Sequence, residues 1–480
     1  MPRWSQLTFA SPTRRAFLTA ACGLVVPACA RHQRPGRRPI LPTPLPRIDG
    51  ELLMDDRALG AAADDWGHAV ERLPAAVVRP ASVEDIARIV RYSDTHRIPI
   101  AMRGRGHSAY GQAQVQGGIV IDSRTLNGVR WQDGDVIAEA GATWDDVASA
   151  TLAKAKIPPV MPDMVLLSVG GSLSCGGVGE MSFRRGAQVD HVAALDVVTG
   201  TGQLVSCSRS RNAELFHMTL AGMGQCAIIV RAQLRVVDAP GAMALRRLHY
   251  SQGDSLFRDA AALAEAGAVD TIGAELTVQS GSWRMELIVG QFLPMPDDAP
   301  QELPRGLRFD AQEVARMSFV DYLRRRTNSV VAALASPRPN PALILTFPEN
   351  AAAQVVTEML ASPAQSLGLW RVEVLPLLTA HFLEPLHAMP ADALVFTVRL
   401  QRRAAATHTA DHRAMLHLNE ALVRRFVFRG AKVYPPFAPP LSRDEWRAHF
   451  GAAWSRFAAA KQRYDPHHTL TPGAEIFDPV

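Results

Sequence analysis

The chain has 480 residues, of which 48% are hydrophobic and 20% are charged. This length exceeds one ordinary core and predicts two domains, and the composition excludes a largely disordered chain. The formal net charge of +5 comes from basic residues scattered singly among acidic ones, which excludes a nucleic-acid-binding patch. After the N-terminus, no run of about 20 apolar residues predicts a membrane span.

The N-terminus has the pattern of an export signal. Arg14 and Arg15 precede an apolar stretch that ends in the small residues Ala28-Cys29-Ala30, and this resembles a twin-arginine signal peptide. We predict a signal peptide over residues 1–30 and a flexible linker, rich in arginine and proline, over residues 31–50. A lipoprotein anchor and a plain hydrophobic helix are the alternatives. Twin-arginine export carries folded proteins, so the leader predicts a periplasmic or secreted protein that leaves with its cofactor installed.

Residues 103–112 form a glycine-dense segment that carries one histidine, His107. Gly104, Gly106 and Gly111 can adopt positive φ and expose backbone N–H groups, an arrangement that suits a pyrophosphate. Apolar runs before and after the segment predict buried strands, and Ser82 predicts the N-cap of the preceding helix. We therefore predict a dinucleotide-binding loop in which His107 points towards the ring system of the ligand. A solvated surface turn is the alternative.

Four ordered segments resemble the flavoprotein superfamily that includes vanillyl-alcohol oxidase and cytokinin dehydrogenase. They are the glycine-dense loop and residues 162–200, 212–229 and 444–477. The loop is similar to that of cytokinin dehydrogenases, whose histidine bonds covalently to the flavin 8α-methyl group. The resemblance implies an α+β protein with a PCMH-type FAD-binding domain and a substrate-binding (capping) domain, the latter an antiparallel sheet flanked by helices.

The predicted domain order rests on two features. Residues 238–241 contain proline and glycine, which interrupt helices and strands, and the last segment that resembles the flavoprotein superfamily lies near the C-terminus. We predict the PCMH-type FAD-binding domain over residues 51–240 and the substrate or cap domain over residues 241–428. Residues 429–480 are predicted to return and complete the FAD domain. Strand-like runs at 274–278 and 342–347 fall in the predicted cap.

The resemblance implies FAD as the cofactor, attached covalently through His107. The residues predicted to contact it are Met102, Arg103, Gly104, Arg105, Gly106, His107, Ser108, Gln112, Asp163, Ser168, Ser174, Val178, Ile228, Tyr434 and Thr471. For Tyr434, a packed strand residue is the alternative. Cys175 is interpreted as a small buried filler and not as a second flavin attachment. The cysteine spacing indicates no metal site.

Asp163 is the predicted catalytic residue. It lies in the otherwise apolar segment 161–166, where desolvation raises the basicity of a carboxylate, and it falls where cytokinin dehydrogenases carry their catalytic aspartate. A turn or helix cap is the alternative. The family's second catalytic carboxylate aligns with Gly273, and Glu275 lies two residues away, so this role stays unassigned.

Three functions remain open. The first is an exported, cytokinin dehydrogenase-like enzyme that oxidises the side chain of an N6-alkenyl adenine by hydride transfer to FAD, with Asp163 as proton acceptor. The second is an alcohol, sugar or lactone oxidase of the same superfamily; four residues of the predicted cap, Trp370, Phe382, Leu383 and Phe396, suggest an apolar site and favour the first. The third is a flavin carrier without turnover. The enzyme hypotheses require a small-molecule substrate and an electron acceptor, either oxygen or a quinone.

Overall fold

The chain is built on β-sheets that follow one another along the sequence. The computed structural model describes residues 41–279, 281–295, 297–327 and 338–477, so the predicted export signal lies outside the described residues. Residues 39–480 make one compact unit, and the domain boundaries near 240 and 428 therefore stay predictions. Within the described ranges, no helix has the length and apolar character needed to cross a membrane.

The strands are β1 Glu51–Leu53, β2 Ala76–Arg79, β3 Ile100–Arg103, β4 Ile119–Asp122, β5 Val129–Gln132, β6 Asp135–Glu139, β7 Lys156–Ile157, β8 Val192–Thr199, β9 Leu204–Ser208, β10 Ala227–Leu234, β11 Val237–Asp238, β12 Ala242–Tyr250, β13 Thr271–Gln279, β14 Ser282–Leu293, β15 Ala311–Ser318, β16 Leu343–Pro348, β17 Leu369–Leu378, β18 Leu394–Arg402 and β19 Lys432–Val433.

The α-helices are α1 Asp56–Ala62, α2 Val83–His96, α3 Trp144–Leu152, α4 Val169–Cys175, α5 Ser182–Arg185, α6 Ala213–Thr219, α7 Gly253–Ala266, α8 Phe319–Arg324, α9 Glu349–Ala361, α10 Ala410–Phe426, α11 Arg443–Phe450 and α12 Trp454–Tyr464. Short 3₁₀ turns also occur, including Pro435–Phe437 after β19 and Pro472–Ala474 after α12.

The first sheet has the order β1-β2-β4-β3 and presents the glycine-dense loop. Strands β2, β4 and β3 are parallel, and the loop follows the carboxyl end of β3. Helix α2 begins as predicted, because the Asp85 N–H donates to the Ser82 hydroxyl. Its buried face includes Ile86 and Ile89, and burying each of these side chains contributes roughly 2 kcal/mol. The predicted strand, helix and buried strands around the loop are confirmed.

The second sheet has the order β5-β6-β10-β8-β9 and is antiparallel throughout. Strand β10 lies at its centre and passes beside α4, the helix that begins after Ser168. The two strands β7 and β11 form a separate ribbon. This arrangement brings Ile228 of β10 and Ser168 to one side of the glycine-dense loop, where both line the same cleft.

The third sheet has the order β15-β12-β14-β13-β17-β18-β16-β19, and every pairing is antiparallel. Helices α7 and α9 cover one face, where Phe347, Val372 and Phe396 belong to the largest apolar cluster. Because successive side chains of a strand point to opposite faces, the intervening residues face the other way. The predicted antiparallel sheet flanked by helices is confirmed.

The C-terminal segment returns to the first sheet and is held there by a buried ion pair. Leu470 forms a parallel bridge with Ile100, next to the glycine-dense loop. Lys461 Nζ lies 2.7 Å from Asp465 Oδ2, and the two side chains are 2% and 0% exposed. The Asp465 carboxylate also accepts hydrogen bonds from the backbone N–H groups of Thr469 and Leu470. The pair therefore fixes the backbone that leads to Thr471.

Candidate active site

The glycine-dense loop is held from beneath by a buried carboxylate, Asp65. Its Oδ2 accepts from the Ser108 hydroxyl at 2.9 Å and from the Gly111 N–H at 2.8 Å. Burial raises the pKa of Asp65 to about 6, because the effect of burial is larger than the opposing effect of these hydrogen bonds. Gly106 and Gly111 adopt positive φ, at 67° and 78°, as predicted. These contacts fix the loop in one conformation.

Gly104 was predicted to share the positive φ of its neighbours, and this is wrong. The φ angle of Gly104 is not positive. A Cβ atom added to Gly104 would nevertheless lie only 2.0 Å from Ser168 Oγ. The position needs glycine because the loop approaches the start of α4 too closely for a side chain. Because glycine has no side chain, a ligand group can approach the backbone of the loop closely here.

The loop forms one wall of a cleft with about 1030 Å³ of space, part of it open to solvent. Its other walls are α4, β10 with the loop that precedes it, and the C-terminal segment, from which the Thr471 hydroxyl donates to the Gly224 carbonyl in that loop. The predicted cofactor residues that line it are Met102, Gly104, Arg105, Gly106, His107, Ser108, Gln112, Ser168, Ser174, Ile228, Tyr434 and Thr471.

Three predicted cofactor residues lie elsewhere. The Arg103 side chain turns back and donates to the Asp64 carbonyl, because the strand β3 directs it under the loop. Asp163 and Val178 line a second cavity. Cys175 was interpreted as a small buried filler; its side chain is partly buried and lines the cleft. Burial raises the pKa of the Cys175 thiol to about 12, which keeps it protonated.

His107 lies at the end of the cleft in an aromatic setting. Its ring centroid is 4.9 Å from that of Trp66 and 5.7 Å from that of Phe437. Burial, and then the Arg399 charge, lowers the pKa of His107 to about 3, so the imidazole is neutral. Its Nε2 lies 3.5 Å from Arg399 Nη2, whereas its Nδ1 is buried and has no hydrogen-bond partner. A neutral ring with one uncommitted nitrogen fits a covalent bond to a flavin methyl group.

A second cavity of about 750 Å³ adjoins the cleft. The two share four lining residues, His107, Leu167, Tyr434 and Phe437. The rest of its wall combines the Asp163 segment with the uncovered face of the third sheet, including Gly273, Leu375, Thr397 and Arg399. A ring system in the cleft would thus meet a small molecule in the second cavity beside His107.

Asp163 lies in a bend, and the hydrogen bond that its side chain accepts comes from Glu180, which is 17 residues away, and not from a helix or turn that follows it. Its Oδ1 accepts weakly from the Glu180 N–H at 3.4 Å, and its Oδ2 is 3.9 Å from Arg326 Nη1. Burial, and then the nearby Glu180 charge, raises the pKa of Asp163 to about 6. A carboxylate of this kind is ionised at neutral pH and accepts a proton more readily than an exposed one.

A network of charged side chains surrounds Asp163. Arg326 pairs with Glu180, Glu275 and Glu373, and Arg371 pairs with the last two. Burial would raise the pKa of Glu373, but the neighbouring arginines outweigh burial and hold that pKa well below its ordinary value. Glu275 therefore acts as an ion-pair partner here, and the cavity is lined by Gly273 of the same strand.

The four residues from which an apolar site was predicted do not line the cavity, whose wall combines apolar side chains with charged ones. Phe396 packs against Phe257 on the helix-covered face, with ring centroids 5.2 Å apart. Leu383 is 64% exposed, and neither Trp370 nor Phe382 lines the cavity. The reason is the twofold alternation of strand β18, which turns Phe396 towards the helices and Thr397 and Arg399 towards Asp163.

The sequence analysis missed several residues that line the second cavity, namely Glu180, Arg326, Glu373, Thr397 and Arg399. The sequence does contain a signal for this polar face. Every second residue of β17, at Arg371, Glu373 and Leu375, and of β18, at Thr397, Arg399 and Gln401, points to the same side. Charged residues at every second position of an otherwise apolar strand indicate one polar face inside the protein. Among the described residues, no group of three or more His, Cys, Asp or Glu side chains could hold a metal ion.

Comparison with known proteins identifies two matching families. Residues 74–208 match the family described as "FAD binding domain", and residues 302–477 match "Cytokinin dehydrogenase 1, FAD and cytokinin binding". An uncharacterized oxidoreductase of Rhodococcoides fascians, ORF5 in the fasciation locus, is 31% identical over 431 residues, covering 87% of this chain and 97% of that protein. Cytokinin dehydrogenase 7 of Oryza sativa subsp. japonica is 31% identical over 491 residues, covering 90% and 92%.

The fold is also found in a solved structure. The crystal structure of 6-hydroxy-D-nicotine oxidase from Arthrobacter nicotinovorans superposes with a TM-score of 0.71 at 21% identity, covering 90% of this chain and 98% of that one. The predicted α+β fold with a PCMH-type FAD-binding domain is confirmed. The chain is an FAD-dependent oxidoreductase and belongs to the cytokinin dehydrogenase family.

Proposed function

We propose that this protein is an exported oxidoreductase that holds FAD covalently through His107 and oxidises a carbon bonded to nitrogen or oxygen, with Asp163 as proton acceptor. The observation that carries the proposal is the meeting of the cleft and the second cavity at His107, Tyr434 and Phe437. The uncommitted Nδ1 of His107 supports the covalent bond. When bound, FAD supplies a two-electron acceptor for the hydride that leaves the substrate carbon.

The chain's own residues hold the substrate and move its proton. Leu167, Ile344, Leu375 and Phe437 line the second cavity with apolar surface and exclude water from the reacting carbon. Asp163 lies in the same cavity and takes the N–H or O–H proton as the C–H bond breaks. Arg326 lies 3.9 Å from Asp163 Oδ2 and favours its ionised form before the reaction.

The relatives favour an amine substrate. Several of them are named cytokinin dehydrogenases, so we propose an N6-alkenyl adenine as the first substrate to test. The polar lining formed by Glu373, Thr397 and Arg399 favours the second candidate, a polar alcohol or sugar, over a wholly apolar substrate. The final electron acceptor is oxygen or a quinone.

The direct test is anaerobic reduction of the purified yellow protein. Isopentenyladenine and a panel of alcohols and sugars are mixed separately with the protein, and the flavin absorbance is followed. We expect at least one substrate to bleach the flavin, and we expect Asp163→Asn to slow that bleaching. Dithionite serves as the control, because it must bleach both proteins equally. Bleaching by dithionite but by no member of the panel would contradict an enzyme that acts on these substrate classes.

Export is tested separately. The proposal rests on Arg14 and Arg15 ahead of the apolar leader, so replacing both with lysine should leave flavin-loaded precursor in the cytoplasm. The matched control replaces Arg37 and Arg38, which follow the leader, and should export normally. Unchanged export of the Arg14/Arg15 variant would mean that the leader uses another route.

A further inference from the structure

We propose that Glu180 is a positioning residue for Asp163, because its buried carboxylate keeps Arg326 from forming a close ion pair with the proton acceptor. This role rests on the proposed function in one respect, the assignment of Asp163 as proton acceptor. It goes further by naming the group that keeps the acceptor able to take a proton. Glu180 lies in the turn before α5 and lines the second cavity itself.

The backbone of Glu180 connects the Asp163 segment to the third sheet. Its N–H group donates to Asp163 Oδ1, and its carbonyl accepts from the Ile272 N–H on β13 at 3.0 Å. Gly179 makes this approach possible, because a Cβ atom added there would lie 2.1 Å from the Met161 carbonyl oxygen. The two segments therefore pack backbone against backbone, which places Glu180 and Asp163 side by side on one wall of the cavity.

The side chain of Glu180 fills the space that Gly273 leaves open. A Cβ atom added to Gly273 would lie 3.4 Å from Glu180 Cγ and 3.8 Å from Oε1. The Glu180 side chain is only 2% exposed, and its Oε2 accepts from the Tyr322 hydroxyl at 2.8 Å and contacts Arg325. Burial would raise the pKa of Glu180, but Arg325 and Arg326 outweigh burial and lower that pKa. The carboxylate is therefore ionised at neutral pH.

The other oxygen of Glu180 acts on Asp163 through Arg326. Glu180 Oε1 lies 3.3 Å from Arg326 Nη2. Glu275 and Glu373 also contact the Arg326 guanidinium group, the latter at 2.7 Å. Asp163 is the most distant of the four carboxylates, with its Oδ2 3.9 Å from Nη1. Because a closer positive charge would hold Asp163 more firmly in its ionised form, this spacing leaves it a better proton acceptor.

The charge of Glu180 also acts on Asp163 directly. After burial, this charge makes the largest contribution to the raised pKa of Asp163, and the opposing contribution of Arg326 is smaller. Burial lowers the pKa of His107 and raises that of Tyr322, so neither changes its charge near pH 6. The ionic groups around Asp163 are Glu180 before α5, Arg325 and Arg326 after α8, Glu275 on β13, Arg371 and Glu373 on β17, and Arg399 on β18.

Two pH-dependent measurements on the holoprotein test this role. Glu180→Gln removes the charge and keeps the backbone N–H, so the pH below which kcat/KM falls should decrease by about one unit or more. The second measurement needs no turnover. The stability difference between a protein and its Asp163→Asn derivative should stop changing with pH about one unit lower in the Glu180→Gln background. If either quantity stays in place in a folded Glu180→Gln protein, the proposal is overturned.

Tyr322→Phe is the matched control, because it disturbs the same buried cluster and leaves the Glu180 charge in place. Both quantities should match those of the unaltered protein. A shift as large as that of Glu180→Gln would overturn the proposal, since disturbance of the cluster alone would then explain it.

A second variant covers the case in which Glu180→Gln does not fold because Arg325 is left buried without its partner. Glu180→Gln/Arg325→Gln removes the ion pair as a unit. Both quantities should still decrease, but by less, because Glu180 affects Asp163 more strongly than Arg325 does. No decrease in this double variant would overturn the proposal. Failure of the proposed function is seen separately, because the stability difference reports on Glu180 even if no substrate reduces the flavin.

Discussion

The cofactor cleft and the second cavity meet at His107 but are built from different parts of the chain. The cleft is made mainly by backbone, with Gly104, Gly106 and Gly111 allowing the loop to approach its neighbours. The second cavity is made largely by side chains, at alternate positions of strands β17 and β18 and in the segment that carries Asp163. A substitution on those strands can change the substrate without moving the cofactor, whereas few substitutions in the loop are tolerated.

The two regions also differ in their charges. The cleft carries a neutral His107 and polar side chains such as Ser108, Gln112 and Thr471, whereas the cavity carries ionised glutamates and arginines around Asp163. Ions that are held together in a partly buried site keep their partners fixed, because an unpaired charge there is costly. Retention of the cofactor and selection of the substrate should therefore respond to different mutations.

The largest effect is expected at the cavity. Asp163→Asn keeps size and polarity but removes the proton acceptor, so kcat should fall by ~10²- to 10⁴-fold, or roughly 3 to 5 kcal/mol on the barrier. The flavin content should not change, because the cleft holds the cofactor independently. Rapid-mixing measurement of flavin reduction checks the rate. An unchanged rate would show that the proton acceptor is another group.

The next effect is expected where the C-terminal segment closes the cleft. Lys461→Met leaves Asp465 buried without its partner and should lower the free energy of unfolding by about 3 kcal/mol, as for other buried pairs. Denaturant unfolding measures this, and the flavin should become easier to release. Arg463→Met, on the exposed side of the same helix, is the control and should cost less than about 1 kcal/mol. Equal effects of the two substitutions would show that the buried pair does not hold the segment.

The pH dependence of activity and stability tests the second cavity separately from the cleft. The pKa of Asp163 is raised to about 6 in the fold, so kcat/KM should fall about tenfold per pH unit below that value, as expected for a required base. A raised pKa also means that the folded state favours the protonated carboxyl. Its contribution to stability is complete below the ordinary aspartate pKa of 3.8 and is lost as pH rises through about 6. Asp163→Asn should accordingly gain stability relative to the unaltered protein over that range, and a constant difference would contradict the shift.

The smallest effect is expected at Tyr434, one of the residues that the cleft and the second cavity share. Tyr434 lines both regions, and its hydroxyl oxygen accepts from the Gly177 N–H at 3.3 Å. Tyr434→Phe should cost about 1 kcal/mol of stability through the lost hydrogen bond and should leave kcat within about threefold. Thermal unfolding and turnover measure the two quantities. A loss of more than tenfold in kcat would show that the hydroxyl contacts the reacting groups.

The cleft was predictable from the sequence because its signals are local. Gly106, His107 and Ser108 lie within three residues, and the flanking apolar runs have the length of buried strands. The return of the C-terminal segment was not derivable from local pattern and came only from the family resemblance. Its physical basis, the Lys461–Asp465 pair, involves residues four apart on a helix end, and the sequence does not show that both are buried.

The alternation on β17 and β18 indicates a polar face, but which residues meet in the cavity was not predictable, because that depends on strand register. Glu373 lies opposite Arg399 across β17 and β18, and opposite Glu275 across β13 and β17. A shift of one residue would reverse every side chain, and the sequence alone does not fix a pairing such as that of Glu373 with Arg399, which are 26 positions apart. The aromatic residues were misinterpreted for the same reason, since Phe396 and Thr397 are neighbours in sequence and point to opposite faces.

The central claim is that His107 joins the cofactor cleft to the site of reaction and holds FAD there covalently. Acid precipitation of the purified protein, followed by proteolysis and mass spectrometry of the yellow peptides, tests it most directly. We predict that the flavin stays with the precipitate, that the flavin-bearing peptide contains His107, and that His107→Ala releases the flavin while the protein remains folded. A colourless precipitate from the unaltered protein, or a flavin attached to Cys175 instead, would contradict the claim.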